Sequence, residues 1–296
     1  MYRVGVLGST GMLGSTLTKL LESENYQISE FNRKGISVTG QNATYMFDVA
    51  MTENLDKLLR KSQFDYVINC IGIIKQLIDE DKHNSIKMAI QVNSEFPARL
   101  DELSLKYQVP IITIGTDCVY SGKVGRYSEL DKFDPIDHYG KTKSLGEGGT
   151  KNTMIIRCSV IGREVHSSNS LMEWILSQQQ GKTVHGFINH IWNGVTTLHF
   201  SQVVSGIMQN NNFKPGTIHL VPSDKLNKFE LLKVIAQVFG RHDINIHEFE
   251  ANNSIDRSLI TTDFDRNSRF WCDAGYNKIP TIKEMLLTYQ TWSSSK

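Results

Sequence analysis

The chain has 296 residues, of which 40% are hydrophobic and 21% charged, an ordinary globular make-up that excludes a fibrous repeat or a largely disordered chain. That length suits one large domain or two intimate lobes with a sizeable core. With 32 basic and 31 acidic residues the net charge is +1, so nothing draws the whole molecule to nucleic acid or to a membrane, and any anionic ligand must be met by local groups.

In chain order, residues 4–7 read as a short buried strand, followed by the turn Gly8-Ser-Thr-Gly11-Met-Leu-Gly14 and by helix spacing through Leu17, Leu20 and Leu21. Strands are predicted at residues 26–31, 43–47, 65–70, 109–115 and 153–158, with helices at 52–61 and through 92–107. Strands alternating with helices of this length predict parallel pairing, an α/β doubly wound Rossmann-type sheet. Beyond Ser159 the rhythm loosens. Helices are predicted at 171–180, 195–208 and 229–239, the last stopped by Gly240, and at 282–292, with a strand at 217–221 that extends the sheet. The expected organisation is interleaved: residues 1–162 and 195–222 form the cofactor-binding domain, and 163–194 with 223–296 form a smaller mixed α/β substrate lobe.

No apolar run approaches the roughly 18 residues of a membrane span, and the apolar start meets a glycine turn rather than a secretory leader, so no membrane and a cytoplasmic address are expected. Cys70, Cys118, Cys158 and Cys272 are widely spaced and are expected as reduced thiols. The histidines lack ligand spacing, with His185 and His190 in a predicted loop, and no metal site is expected.

Three stretches carry chemistry. The glycine turn follows the first strand and opens a helix, where backbone amides and the helix dipole suit a pyrophosphate. At the end of the second strand an acid would meet a ribose hydroxyl and a base a 2′-phosphate. Asn32-Arg33-Lys34 stands there, so NADPH is favoured over NADH, with Arg33 as the phosphate contact. Asp48, after the third strand, suits either the adenine edge or a turn cap. Thr116 follows the fifth strand, at the carboxyl end where open α/β sheets bind ligands. Tyr139 and Lys143 lie four apart on one helix face. An ammonium near a phenol favours its ionised form, and reduction of a carbonyl needs a proton donor within hydrogen-bond reach of the oxygen.

Together Gly8-x-x-Gly11-x-x-Gly14, Asn93, Thr116-Asp-Cys-Val-Tyr120 and Tyr139-Gly-Lys-Thr-Lys143-Ser-Leu-Gly-Glu147 resemble the extended short-chain dehydrogenase/reductase family, within it the dTDP-4-dehydrorhamnose reductase-like proteins, over most of residues 1–160. The resemblance implies Tyr139 as the acid, Lys143 as the residue that holds the nicotinamide ribose and depresses the tyrosine pKa, and Thr116 as the group that orients the keto oxygen. Asn93 would support the lysine through a water. Gly8, Thr10, Gly11, Met12 and Leu13 would cradle the cofactor with Asn32, Arg33, Lys34, Asp48 and Val49. Cys70, Ile71 and Gly72 would line it behind the fourth strand, and Cys158, Ser159 and Val160 would border nicotinamide and sugar. Asp117, Cys118 and Val119 would line the substrate pocket.

Related dehydratases carry Asp-Glu after this threonine, a carboxylate pair that moves protons. Asp117-Cys118 lacks the second acid, so dehydration is disfavoured, while Cys118 in place of an aromatic leaves the sugar open. Arg163, Trp192 and Arg257 are candidates for the nucleotide, by charge pairing with a diphosphate or by stacking. The expected activity is NADPH-dependent reduction of the C4 keto group of a nucleoside-diphosphate 4-keto-6-deoxy sugar. An epimerase and a non-catalytic cofactor-binding regulatory subunit are the alternatives. Oligomeric state stays open, a homodimer being one option.

Overall fold

The structure is a computed structural model that describes residues 1–50, 52–61, 63–148, 151–164 and 170–295. Its first half runs β1 (Arg3–Leu7), α1 (Met12–Ser23), β2 (Gln27–Asn32), β3 (Ala43–Met46), α2 (Thr52–Lys61), β4 (Tyr66–Asn69), α3 (His83–Ile90), a π-turn (Gln91–Glu95), α4 (Phe96–Tyr107), β5 (Ile111–Gly115), α5 (His138–Gly146) and β6 (Thr153–Arg157). The second half follows with β7 (Val160–Ile161), α6 (Leu171–Leu176), β8 (Thr183–Phe187), β9 (His190–Trp192), β10 (Val195–Thr196), α7 (Thr197–Gln209) and β11 (Gly216–His219). It ends with β12 (Leu226–Asn227), α8 (Lys228–Val238), β13 (Asn245–Phe249), β14 (Ile255–Asp256), α9 (Phe264–Asp273) and α10 (Ile282–Ser294).

Seven strands form one parallel sheet in the order β11-β6-β5-β4-β1-β2-β3. The expected fold class is borne out. Strands covered on both faces read as unbroken apolar runs, and Met154, Ile155 and Ile156 of β6 are all buried. On one face Val4, Ile68 and Ile156 join a core that continues through Val203 of α7 to Phe270 and Met285. On the other, Leu7, Phe31, Leu100 and Ile111 form a second cluster. β1 lies between β2 and β4, so its carboxyl end is the switch point of strand order, where a ligand crevice opens.

Several boundaries differ from expectation. The helical region predicted at 92–107 begins at His83 and is broken by the π-turn, a register change that apolar periodicity does not reveal. The helix predicted over 171–180 stops at Leu176, because the chain must turn through Gly181, at φ +76°, whose amide donates to the Asp243 carbonyl at 2.9 Å. His185 and His190 are not in a loop: they lie on β8 and β9, and His185 pairs with His247 of β13. Val195 belongs to β10, since Thr196 caps α7 by accepting from the His199 amide. Among the described residues, no helix is long and apolar enough to cross a membrane.

Candidate active site

The turn out of β1 is built around its glycines. Gly8 has φ +80°, a conformation glycine adopts without penalty, and its amide donates to the Phe31 carbonyl at 2.7 Å. A Cβ on it would stand 3.0 Å from Ile71 Cγ1 and 3.3 Å from the Cys70 carbonyl, so Cys70, Ile71 and Gly72 border the same turn. A Cβ on Gly14 would overlap the Gly8 carbonyl oxygen, which makes glycine obligatory where α1 starts this close to β1. Gly11 is different. The protein atom nearest a Cβ there is Gly8 O at 3.4 Å, an ordinary contact, and the residue is exposed.

Among the described residues nothing requires glycine at position 11, and its open side leaves room for a group to approach the backbone from outside. α1 has neither a side-chain cap nor an acid in its first turn, so the amides of Met12 and Leu13 and the positive end of the dipole face outward beside Thr10. Asn69 closes β4 opposite Leu7. Its Oδ1 accepts from the Ile71 amide at 3.0 Å, while Nδ2 is buried and has no hydrogen-bond partner among the described residues. An open glycine, an uncapped helix start and an orphaned donor together fit a dinucleotide pyrophosphate.

At the end of β2, Asn32 is buried and saturated: Nδ2 donates to Ser9 Oγ at 3.0 Å and Ile36 O at 2.8 Å, and Oδ1 accepts from the Lys34 and Ile36 amides. It ties the two turns together, a positioning role rather than a free contact. Arg33 and Lys34 are exposed and, among the described residues, make no ion pair. Asp48 takes the turn-forming role, Oδ1 accepting from the Ala50 amide at 2.9 Å, with Val49 buried beside it.

α5 carries the acid and is held by Asp137, whose Oδ1 accepts from the Gly140 amide at 2.8 Å. A Cβ on Gly140 would overlap the Cys118 carbonyl oxygen, and one on Gly146 would overlap that of Asn93. Two missing side chains thus let α5 lie against both the turn after β5 and the π-turn. Tyr139 is thereby brought to Thr116. Burial drives the Tyr139 pKa upward, with Cys118 and Asp117 adding to the rise, while a hydrogen bond from Thr116 opposes it.

Lys143 is buried, and Nζ donates to the Ile114 carbonyl at 3.2 Å. Burial lowers its pKa and Glu147, one turn on, opposes that. The expected depression of the tyrosine pKa by Lys143 is corrected here: burial outweighs it, and the opposing group is Thr116. Asn93 accepts from the Ile73 amide and donates to the Ile73 carbonyl, both at 2.9 Å, and donates to Thr142 Oγ1 at 3.2 Å. It reaches the helix of Lys143 through Thr142.

The pocket wall follows Thr116. Asp117 is buried, which raises its pKa against the pull of Arg257 and Lys228. The Cys118 thiol is pushed up to about 12 by burial, and Val119 is fully buried. Arg257 joins them, Nε donating to the Tyr120 carbonyl at 2.9 Å and Nη1 lying 3.8 Å from Cys118 Sγ. Behind β6, Cys158 is buried, Val160 pairs with Val195, and Ser159 Oγ accepts from Trp192 Nε1 at 2.7 Å.

Two nucleotide candidates are placed differently from expectation. Trp192 is 4% exposed, a wall residue fixed through Ser159 rather than an open face for stacking. Arg163 is turned to Glu173, with Nη2 to Oε1 at 3.1 Å, so its charge is already met. Residues missing from the sequence reading also appear. Lys228 faces Asp117 and Cys118, its pKa lowered to about 8 by burial. Arg157, fully buried, donates to Glu147 Oε2 and to the Tyr120 hydroxyl, while Glu147 Oε1 is buried without a partner. The Gly-Glu that ends the tyrosine motif was a signal for Glu147. Asn227-x-x-Glu230 marks the start of α8, but nothing local shows that its first residue faces β5.

A protein-family model described as the RmlD substrate binding domain matches residues 2–261. The chain belongs to that family. As an RmlD family member it stands among sugar-nucleotide reductases. It is 24% identical over 267 residues to the probable low-salt glycan biosynthesis reductase Agl14 of Haloferax volcanii, covering 85% of each chain. It is 23% identical over 250 residues to methionine adenosyltransferase 2 subunit beta of Rattus norvegicus, covering 80% of this chain and 72% of that one. The fold superposes on a crystal structure of dTDP-4-dehydrorhamnose reductase from Bacillus anthracis in complex with NADP, with a TM-score of 0.79 and 18% identity over 98% of this RmlD family chain and 99% of the other.

Proposed function

We propose that this protein is an NADPH-dependent reductase of the C4 keto group of a nucleoside-diphosphate 4-keto-6-deoxy sugar. In this reading residues 1–162 and 195–222 hold the cofactor, and 163–194 with 223–296 receive the sugar nucleotide. The observation that carries it is the meeting of Thr116 and Tyr139, with Lys143 one turn on, at the carboxyl end of β5. Family membership and the NADP-bound relative support the choice of cofactor.

NADPH, when bound, supplies the hydride to C4. The glycine turn and the free end of α1 take its pyrophosphate, and Arg33 with Lys34 takes a 2′-phosphate. Thr116 donates to the keto oxygen and fixes its direction. Tyr139, kept protonated by burial, gives its proton to that oxygen as negative charge develops there, and regains one from solvent. Lys143 holds the nicotinamide ribose and adds positive charge beside the tyrosine. Asp117 stands without a second acid at position 118, so the site holds no carboxylate pair to remove water from the sugar.

Tyr139→Phe is expected to lower kcat by about 100-fold or more while leaving NADPH affinity unchanged, read by NADPH absorbance over a panel of keto-sugar nucleotides. No turnover of any panel member by the wild type, or equal turnover by the variant, overturns the proposal. The relative that is a methionine adenosyltransferase subunit favours a second reading, a cofactor-binding regulatory subunit. Its signature is NADPH binding without turnover, together with stable co-purification with another enzyme.

A further inference from the structure

The segment between β4 and α3 leaves the border of the glycine turn at Gly72 and crosses to the start of α5. Asn93 grips its base, accepting from the Ile73 amide and donating to the Ile73 carbonyl. Lys75–Leu77 form a short 3-10 turn, and Ile78 is buried just beyond it. Two contacts then reach α5. Lys75 Nζ lies 3.0 Å from Asp137 Oδ2, and Glu80 Oε1 accepts from the His138 amide at 3.2 Å. Tyr139 is the next residue.

The Asp137 carboxylate serves two partners at once. Its Oδ1 caps α5 at the Gly140 amide, 2.8 Å away, and its Oδ2 meets Lys75. The Asp137 side chain is 8% exposed, and a desolvated carboxylate is costly unless a counter-charge meets it. Burial alone would raise its pKa, but the Gly140 amide and Lys75 outweigh burial and hold it below the usual carboxylate range, with Arg257 adding less. The Lys75 side chain is 58% exposed, so it brings charge to this point rather than packing. We infer that Lys75 is a positioning residue for the reduction: its ammonium fixes the Asp137 cap, and through the cap the backbone that carries Tyr139 to Thr116. The amides of His138 and Gly140 flank the tyrosine, and the strap holds both, Glu80 directly and Lys75 through Asp137. A displacement of about 1 Å at a reacting group is enough to cost on the order of 100-fold in rate. The inference rests on the reductase reading of the site.

The test compares wild type with Lys75→Met, Lys75→Arg and Lys82→Met, the last an exposed lysine further along the same segment that pairs with Asp79. Lys75→Met is expected to lower kcat for keto-sugar reduction about tenfold, with the KM for NADPH and for the sugar nucleotide unchanged. Lys75→Arg should restore most of kcat, and Lys82→Met should keep all of it. Hydrogen exchange needs no substrate and reads the strap itself. In Lys75→Met the amides of residues 138–141 should exchange about three- to tenfold faster than in wild type or Lys75→Arg, while those of the central sheet stay constant and report an intact fold. Wild-type kcat in Lys75→Met overturns the positioning role, as does a loss carried entirely by KM or one that Lys75→Arg does not repair. A wild type that turns over no keto-sugar removes the reductase reading alone, and exchange then decides the strap. Unchanged exchange in Lys75→Met overturns it in either case.

Discussion

Arg33 and Lys34 stand exposed at the end of β2, with no ion pair among the described residues, against a turn that Asn32 locks to Ser9. Replacing both by alanine is expected to raise the KM for NADPH about tenfold or more, because a charge-assisted contact is lost, and to leave the KM for NADH nearly unchanged. Steady-state kinetics with the two cofactors reads this directly, and an equal change for both would show that the pair does not sense the 2′-phosphate. Residues of this kind were legible because their meaning is local: Tyr139 and Lys143 share a helix face by spacing alone, and Gly8 and Gly11 sit in one turn. Trp192 and Arg163 were not. Trp192 is buried by pairing with β12 and by Ser159, and Arg163 is answered by Glu173 ten residues on. Composition and spacing do not encode such meetings, and Lys228 was missed for the same reason.

α5 works as an element because it can come close. Gly140→Ala places a methyl against a backbone carbonyl that cannot step aside, so it is expected to cost about 1–3 kcal/mol of stability. It should also lower kcat by moving Tyr139 from Thr116. Gly148→Ala, where a Cβ meets only Leu145 O at 3.6 Å, should change neither. Urea unfolding and kinetics on the two variants check this, and unchanged kcat in Gly140→Ala would separate the close approach from the chemistry. The helix was legible in outline through the tyrosine motif. The π-turn that Gly146 packs against was not, because residues 91–95 keep the composition of an ordinary helix while changing its hydrogen-bond register.

At the scale of the whole molecule, two histidines among the described residues are kept neutral by burial. His219 lies between the Arg157 guanidinium, 2.7 Å from Nε2, and the Ile260 carbonyl, 2.6 Å from Nδ1. Burial, with Arg157 adding, lowers its pKa to about 4. His199 is lowered to about 3 by burial, with Nε2 unpartnered. Both folded values lie below the unfolded 6.5, so the unfolded chain binds protons first as pH falls. Their stabilisation is complete above about pH 6.5 and is lost as pH falls through the folded values, on the order of 3 kcal/mol from His219 alone. The melting temperature is therefore expected to drop steadily between pH 6.5 and 4, and a flat profile across that window would contradict the neutral assignment. The sheet itself was legible from alternating strands and helices, including the late strand that returns to it. How far the second half packs into the same core was not, since Phe270 and Met285 join Val4 only in three dimensions.

That late strand has a consequence for how the protein comes into being. β6 is complete at Arg157, yet its outer neighbour β11 arrives only with residues 216–219. While the ribosome makes the stretch between them, the nascent sheet carries a bare apolar edge, the kind of surface that templates pairing with other chains. The interleaved order of the chain therefore ties solubility during synthesis to the time taken to reach Gly216.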